Sequence, residues 1–204
     1  MSQTLVHPGR VDWSGENPGM YLKNDAEGGF VTLISFFRVM VSPHGRGHAA
    51  FMLLDPQGTG KNSAAPNLCL TDNEPLAEYL RQGFVRHFGA FKGVTALDNC
   101  RMAPAWDFVA AGDTRSTYTE WFRSSVGQVS LNWDEMGDPF IVDLPVEKSA
   151  TGKHQMLSLF VEAKSVRASI NGTAVKGKAF PREFAGRKQS STAFLAFSET
   201  WLLA

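Results

Sequence analysis

Runs of apolar residues that alternate with polar ones, separated by Gly, Pro, Asn and Asp, dominate this chain of 204 residues. The first long run, residues 28–42, is β-branched and aromatic and apolar on both faces, which predicts a buried central strand. Further alternating runs lie at 106–111, 115–123, 126–134, 138–146, 155–163, 164–170, 173–180 and 192–202. Such regular punctuation predicts a mainly β fold (α+β at the margin), an antiparallel meander closed as a barrel or stacked as a sandwich.

One stretch changes from the strand period to the helix period. In TDNEPLAEYLRQGFVRHFG, apolar residues recur at intervals of three and four, which predicts one amphipathic helix near residues 74–88. Thr71, Asp72 or Asn73 is suited to cap it, and Pro75 fits its first turn. The helix is expected to pack on the sheet as an insertion over residues 72–89.

The N-terminal segment has a different composition from the rest. Residues 1–29 are rich in glycine and proline, which predicts an irregular arm packed on the core. Residues 30–204 show no internal repeat and no linker, and they are expected to form a single β-rich domain with the helical insertion.

Composition narrows the class of protein. The chain is 43% hydrophobic with 20 basic and 20 acidic residues, so its net charge of zero argues against disorder and against a generic nucleic-acid or membrane-surface binder. No apolar run is long enough to span a membrane as a helix, and the start of the chain lacks a secretory signal. Two cysteines, Cys69 and Cys100, fit reduced thiols. We therefore expect a cytoplasmic protein with neither nucleic-acid nor membrane partners.

Charged residues interrupt three apolar stripes. In the last run, strict alternation places on one face Ala193, Leu195, Phe197, Glu199 and Trp201. Arg38 similarly interrupts the first long run, and Glu120 lies between Tyr118 and Phe122. A charge on an apolar face is costly unless it is paired or faces a cavity.

Two interpretations of these stripes stay open. Apolar walls with a few polar groups are typical of a ligand pocket, whereas charges at a sheet edge prevent aggregation. The first interpretation is our leading hypothesis, a barrel or sandwich that binds a mostly apolar small molecule with a polar or anionic end. Its candidate ligand-binding residues are Arg38, Glu120, Trp121, Phe197, Glu199 and Trp201.

An enzyme on the same scaffold is the alternative hypothesis. Glu199 or Glu120 would then be the general acid or base, and Arg38 would hold an anion. The sequence contains no nucleophile motif of the Gly-x-Ser-x-Gly type, and we expect no cofactor.

A basic hairpin supplies the third hypothesis. Asn171-Gly172 predicts a two-residue type I′ turn, which would place Arg167 opposite Lys176 and Ser165 opposite Lys178. Like charges directly opposite each other are destabilising, so an anionic ligand, acidic side chains on an adjacent strand, or solvation should compensate. The 164–178 hairpin is therefore a weak anion-site candidate, or a surface for partners or for self-assembly into a homo-oligomer.

Although the net charge of the chain is zero, two consecutive segments carry net charges of opposite sign. Residues 104–147 hold two basic and eight acidic residues, whereas residues 148–188 hold nine basic and two acidic ones. If consecutive strands are neighbours, as they usually are, the two blocks face each other and Arg167 finds an acidic partner.

Two further patterns concern a metal site and the architecture of the barrel. His44 and His48 flank Arg46 in a glycine-rich turn, which makes them weak metal candidates, and the absence of a third ligand favours no metal site. The meander with one helix and an aromatic last strand resembles lipocalin-like barrels in architecture. The Gly-x-Trp signature of that family is missing, because Trp13 follows Val11-Asp12.

Overall fold

The structure, a computed structural model, describes residues 9–58 and 67–203. Within these ranges the strands are β1 (Arg10–Glu16), β2 (Gly19–Lys23), β3 (Phe30–Val41), β4 (Gly47–Leu53), β5 (Leu68–Thr71), β6 (Arg101–Gly112), β7 (Thr117–Ser124), β8 (Gly127–Met136), β9 (Phe140–Leu144), β10 (His154–Ile170), β11 (Thr173–Ala174), β12 (Pro181–Phe184), β13 (Arg187–Ser191) and β14 (Ala193–Leu203). The helices are α1 (Glu74–Gly83) and α2 (Thr95–Asp98), and 3₁₀ turns lie at Val85–His87 and Val146–Lys148. The mainly β prediction is confirmed.

Nine strands close into a barrel in the order β14-β2-β3-β4-β5-β6-β7-β8-β10, and β10 pairs with β14 to complete the ring. The fold is therefore a barrel and not a sandwich. All neighbours in the ring are antiparallel except β5 and β6, which are parallel. The prediction of an entirely antiparallel meander was wrong at this pair. The segment 72–100, with α1 and α2, carries the chain back to the end of the barrel at which β5 begins.

The prediction of an irregular arm was wrong for residues 10–23, because β1 and β2 are part of the sheet; residues 1–8 lie outside the described residues. β1 pairs with β14 and with the end of β3, and β2 lies between the same two strands. Gly15 allows the close approach of β1 to β3, since a Cβ atom there would lie 2.1 Å from the carbonyl oxygen of Arg38.

Large side chains fill the barrel interior. The fully buried ones include Met20, Ile34, Phe36, Phe122, Leu131 and Trp133. The phenyl rings of Phe36 and Phe122 stack with their centroids 5.8 Å apart, which joins β3 to β7 across the interior. The interior is therefore a packed core of the kind expected in a small barrel.

A second apolar core lies on the outer face of the barrel, under α1 and the segment that follows it. The predicted helix is confirmed, with Oδ1 of Asn73 accepting a hydrogen bond from the Leu76 backbone at 3.1 Å. Regular helix ends at Gly83, earlier than expected, because Phe84 leaves the helical conformation and a 3₁₀ turn continues the chain.

The predicted turn at Asn171-Gly172 is present, with φ angles of 51° and 75°. Strand pairing across it ends at Ser169 and Ala174, and one hydrogen bond from the Val175 N–H to the Ala168 carbonyl at 2.9 Å continues the same register. Lys176 lies beyond the end of β11, so the predicted pair of Arg167 with Lys176 is not part of the sheet. Arg167 instead contacts Asp134 of β8, with Nη2 2.9 Å from Oδ2. The acidic and basic blocks thus meet here between neighbouring strands.

Candidate functional site

Two of the charges that interrupt apolar stripes meet inside the barrel. Nη2 of Arg38 donates to Oε2 of Glu120 at 2.6 Å, and the Tyr118 hydroxyl donates to Oε1 at 2.8 Å. The other guanidinium nitrogens of Arg38 contact Glu16 at 3.3 Å and His48 at 3.1 Å. Each nitrogen of Arg38 and each oxygen of Glu120 therefore contacts a protein group, so the cluster is held together by its own members.

The burial and the pKa of Glu120 agree with a structural role for its ion pair with Arg38. Burial raises the pKa of the Glu120 carboxyl, and the charge of Arg38 offsets part of that rise. The Glu120 side chain is 0% exposed and that of Arg38 is 21% exposed. The pair therefore joins β3 to β7 within the core.

Glu199, the third charge, lies on the opposite face of the barrel wall because β14 contains a β-bulge. Ser198 has a φ of 48°, and the register with β10 shifts at this position. One extra residue reverses the alternation that follows it. Phe197 accordingly packs with the interior core, whereas Glu199 and Trp201 belong to the outer face.

A cavity of about 260 Å³ lies on that outer face. Six aromatic side chains line it: Tyr21, Phe88, Phe160, Phe184, Phe194 and Trp201. The exposed residues Gly89, Ala150 and Glu183 also line it and mark its rim. We call this space the aromatic cavity; its buried polar groups are Arg182, Glu199 and Asn17.

Arg182 enters the cavity from β12, in a two-stranded hairpin outside the barrel. Its guanidinium carbon lies 4.7 Å from the ring centroid of Phe184, 4.8 Å from that of Phe194 and 5.6 Å from that of Tyr21. Among the described residues, no group accepts a hydrogen bond from its buried Nε and Nη2 atoms. Burial lowers the pKa of Arg182, which remains a cation because guanidinium titrates far above neutral pH.

Glu199 is the acidic group of the cavity. Its side chain is almost fully buried, and Oε1 accepts hydrogen bonds from Nε1 of Trp201 at 2.7 Å and Nδ2 of Asn17 at 3.5 Å. Burial raises the pKa of Glu199 to about 7, although both hydrogen bonds act in the opposite direction. This carboxyl group therefore changes protonation state near neutral pH, as groups in functional sites often do.

Arg182 and Glu199 are separate polar contact points. They form no ion pair with each other, and the pKa of Glu199 responds to burial, Trp201 and Asn17 but not to Arg182. Burial raises the pKa of Tyr21, Arg182 lowers it and Glu199 raises it. The Tyr21 hydroxyl is thus within electrostatic reach of both groups, and a ligand in the cavity can meet a cation and a carboxyl at different points.

The remaining ligand-binding candidates lie elsewhere. Trp121 is on β7, where Arg123 lies 5.6 Å from its ring, and Phe197 packs against Tyr118 at a centroid distance of 5.3 Å. Of the six ligand-binding candidates, the structure therefore places two, Glu199 and Trp201, in the aromatic cavity.

Each of the basic hairpin candidates has its own contacts. Arg167 pairs with Asp134, the backbone carbonyl of Lys176 accepts from Thr32, and Lys178 exchanges backbone hydrogen bonds with Lys23 at 2.9 and 3.1 Å. Self-assembly through residues 164–178 stays a prediction.

His44 and His48 contact different groups. His48 uses both ring nitrogens, Nδ1 with Asp72 at 2.7 Å and Nε2 with Arg38 at 3.1 Å, whereas His44 packs on the Tyr79 ring at 5.0 Å. Within residues 9–58 and 67–203, no three His, Cys, Asp or Glu side chains are grouped to hold a metal ion.

Of the residues that line the cavity, only Glu199 and Trp201 were predicted as ligand-binding residues; the polar residues left out include Arg182, Tyr21 and Asn17. Arg182 lies on β12 between Phe180, which precedes the strand, and Phe184, which ends it, so the criterion that selected Arg38 also applies to Arg182. The sequence of residues 180–189 predicts a polar crossover loop at a pocket mouth, whereas the structure forms the two-stranded hairpin β12–β13 there. Tyr21 carried no such signal, because the segment that holds it was expected to be irregular.

Comparison of the chain with protein-family models, curated proteins and solved structures finds no match in any of the three. In the part of the chain that the structure describes, no helix is long and apolar enough to cross a membrane.

Proposed function

We propose that the protein binds a small, mostly apolar molecule with an anionic end in the aromatic cavity. The observation that carries this proposal is Arg182, whose buried Nε and Nη2 lack hydrogen-bond partners among the described residues. Buried guanidinium N–H groups that lack acceptors are unfavourable, and the edge formed by Nε and Nη2 of an arginine matches the two oxygens of a carboxylate. Arg182 thus takes the role that alternation alone had given to Arg38.

The lining residues and the volume of the cavity restrict the chemistry and the size of the remainder of the ligand. Six aromatic side chains surround the space, so most of the ligand surface should be apolar. A cavity of about 150 Å³ is enough for benzene. The volume of about 260 Å³ therefore fits one aromatic ring with a short acid side chain.

Isothermal titration calorimetry with 3-phenylpropionate and 3-phenylpropan-1-ol tests the anionic end. The two probes share the ring and the chain and differ in charge. A charge-assisted hydrogen bond is worth enough that the acid should bind about 10- to 100-fold more tightly than the alcohol. Equal affinities, or no binding of the acid at millimolar concentration, would contradict the proposal.

Two variants locate the binding site. Arg182→Met should weaken 3-phenylpropionate by about 10- to 100-fold and leave the alcohol nearly unchanged, because only the acid uses the guanidinium. Lys188→Met is the matched control, since Lys188 is an exposed cation on β13 of the same hairpin. An equal loss of acid binding in both variants would indicate a general effect of charge and would exclude Arg182 as the specific partner.

Catalysis at the same cavity is a second candidate function, favoured by the pKa of about 7 for Glu199. A carboxyl that titrates at working pH is suited to general acid or base catalysis. Wild type and Glu199→Gln should be incubated with a small-molecule cell extract and compared by mass spectrometry. A compound consumed by the wild type alone, while Glu199→Gln still binds 3-phenylpropionate, supports an enzyme; no such compound supports binding alone.

A further inference from the structure

The two carboxyl oxygens of Glu199 have different surroundings. Oε1 accepts both hydrogen bonds that the protein supplies, from Trp201 and Asn17. Among the described residues none donates to Oε2, and the residue lines the aromatic cavity. An oxygen of a buried carboxyl without a protein partner is a free polar contact for a bound molecule.

We infer that the ligand is an aromatic acid that also carries a hydroxyl group, with its acid group on Arg182 and its hydroxyl on Oε2 of Glu199. The inference rests on the proposed function, because it assigns a second contact to the same ligand in the same cavity. The separation of Arg182 from Glu199 requires the two polar groups to lie at different points of the ligand.

The chemistry of Glu199 selects a hydroxyl over other polar groups. A hydroxyl both donates and accepts, so it can bond to the carboxylate and to the protonated carboxyl. A carbonyl or an ether only accepts, which restricts it to the protonated form, and a second carboxylate is repelled by the ionised form. An ammonium group bonds most strongly to the ionised form. Of these groups, the hydroxyl alone can both donate to the carboxylate and accept from the protonated carboxyl.

Four related acids test the inference on the wild-type chain. They are 3-phenylpropionate, its 3-hydroxyphenyl and 4-hydroxyphenyl derivatives, and the methyl ether of the better hydroxyl isomer. At pH 8, where the carboxyl is mostly ionised, one hydroxyl isomer should bind about tenfold or more tightly than the parent. The methyl ether should lose that gain, because it cannot donate. This comparison needs no variant, so it stands whether or not substitutions at Glu199 fold.

Two variants assign the gain to Glu199. Glu199→Gln keeps the shape of the side chain and removes its charge, so the gain from the hydroxyl should fall to about threefold or less. Arg182→Met should weaken the parent acid and its hydroxyl isomer by the same factor and preserve the ratio between them.

The outcomes separate this inference from the proposed function. If 3-phenylpropionate binds through Arg182 but neither hydroxyl isomer improves on it, the hydroxyl inference is overturned and the proposed function stands. A gain of equal size in Glu199→Gln, or a gain retained by the methyl ether, overturns it as well. If none of the four acids binds, the proposed function itself fails.

Discussion

Nη2 of Arg38 lies 2.6 Å from Oε2 of Glu120, and this ion pair joins β3 to β7 across the interior of the barrel. The two strands are separated in the ring by β4, β5 and β6. Because Glu120 has no exposed surface, its charge is tolerated in the core only while Arg38 and Tyr118 hold it.

Arg38→Met should therefore lower the free energy of unfolding by about 3 to 5 kcal/mol, since it leaves a buried carboxylate without its cation. The double variant Arg38→Met/Glu120→Leu should recover part of that loss, because no charge remains in the core. Urea unfolding measures both. Arg123→Met is the control, because its pair with Asp107 spans 3.5 Å with both side chains more than half exposed. Arg123→Met should lower the free energy of unfolding by less than about 1 kcal/mol. An equal decrease in Arg38→Met and Arg123→Met would contradict a structural role for the Arg38–Glu120 pair.

Gly15→Ala should destabilise the fold by about 1 to 3 kcal/mol, the range for forcing an extra carbon into a packed site. The new Cβ would lie 2.1 Å from the carbonyl oxygen of Arg38, so the backbone of β1 or β3 must move. Gly83→Ala is the matched control. It meets no atom within 4 Å, and alanine at this end of α1 should stabilise by up to about 1 kcal/mol. If thermal unfolding shows the same decrease in melting temperature for both variants, the close approach of β1 to β3 is unimportant.

Glu199 should make stability depend on pH in a specific direction. Its pKa is about 7 in the folded state against an ordinary value of 4.5, so between these pH values the folded chain keeps a proton that the unfolded chain has lost. Stabilisation from this proton is complete below pH 4.5 and is lost as pH rises through 7. The difference is about 3 kcal/mol at 1.36 kcal/mol per pKa unit.

Urea unfolding of the wild type and Glu199→Gln across pH 4.5 to 8 isolates this contribution. The advantage of the wild type over the variant should shrink as pH rises, because glutamine does not titrate. An advantage that stays constant or grows with pH would show that the carboxyl is ionised in the folded state at acidic pH.

Arg182→Met should raise the free energy of unfolding by about 1 to 2 kcal/mol, because it replaces a guanidinium whose buried Nε and Nη2 lack acceptors by an apolar side chain. Its thioether stem would keep contact with the rings of Phe184 and Phe194. Lys188→Met, an exposed substitution, should stay within about 0.5 kcal/mol of the wild type. A clear loss of stability in Arg182→Met would mean that the guanidinium serves the fold and is not held for a ligand.

Much of the fold could be predicted from local patterns. The long apolar run of β3, the helix after Asn73 and the turn at Asn171-Gly172 depend on residues close together in the chain, so periodicity and turn chemistry identify them. The parallel pairing of β5 with β6 was not predicted, because it depends on the end of the barrel to which a crossover of 29 residues (72–100) returns the chain.

The candidate site was predicted in part. Charges on apolar stripes correctly marked buried positions, since Glu120 and Glu199 are both nearly inaccessible. Alternation placed Phe197 and Glu199 on one face, whereas the bulge at Ser198 separates them across the barrel wall. The bulge forms where β14 pairs with β10, and the residue pattern along β14 gives no information about that pairing.

The sequence alone determined the long strands such as β3 and β14, the start of the helix and the burial of Glu120 and Glu199, because these follow from the chemistry of neighbouring residues. Only the tertiary structure decided which buried charges meet. It paired Arg38 with Glu120 in the core and carried Arg182 and Glu199 to one outer cavity. The physical reason is that strand pairing sets both the register and the face of each side chain, and a shift of one residue moves a carboxyl from one side of the wall to the other.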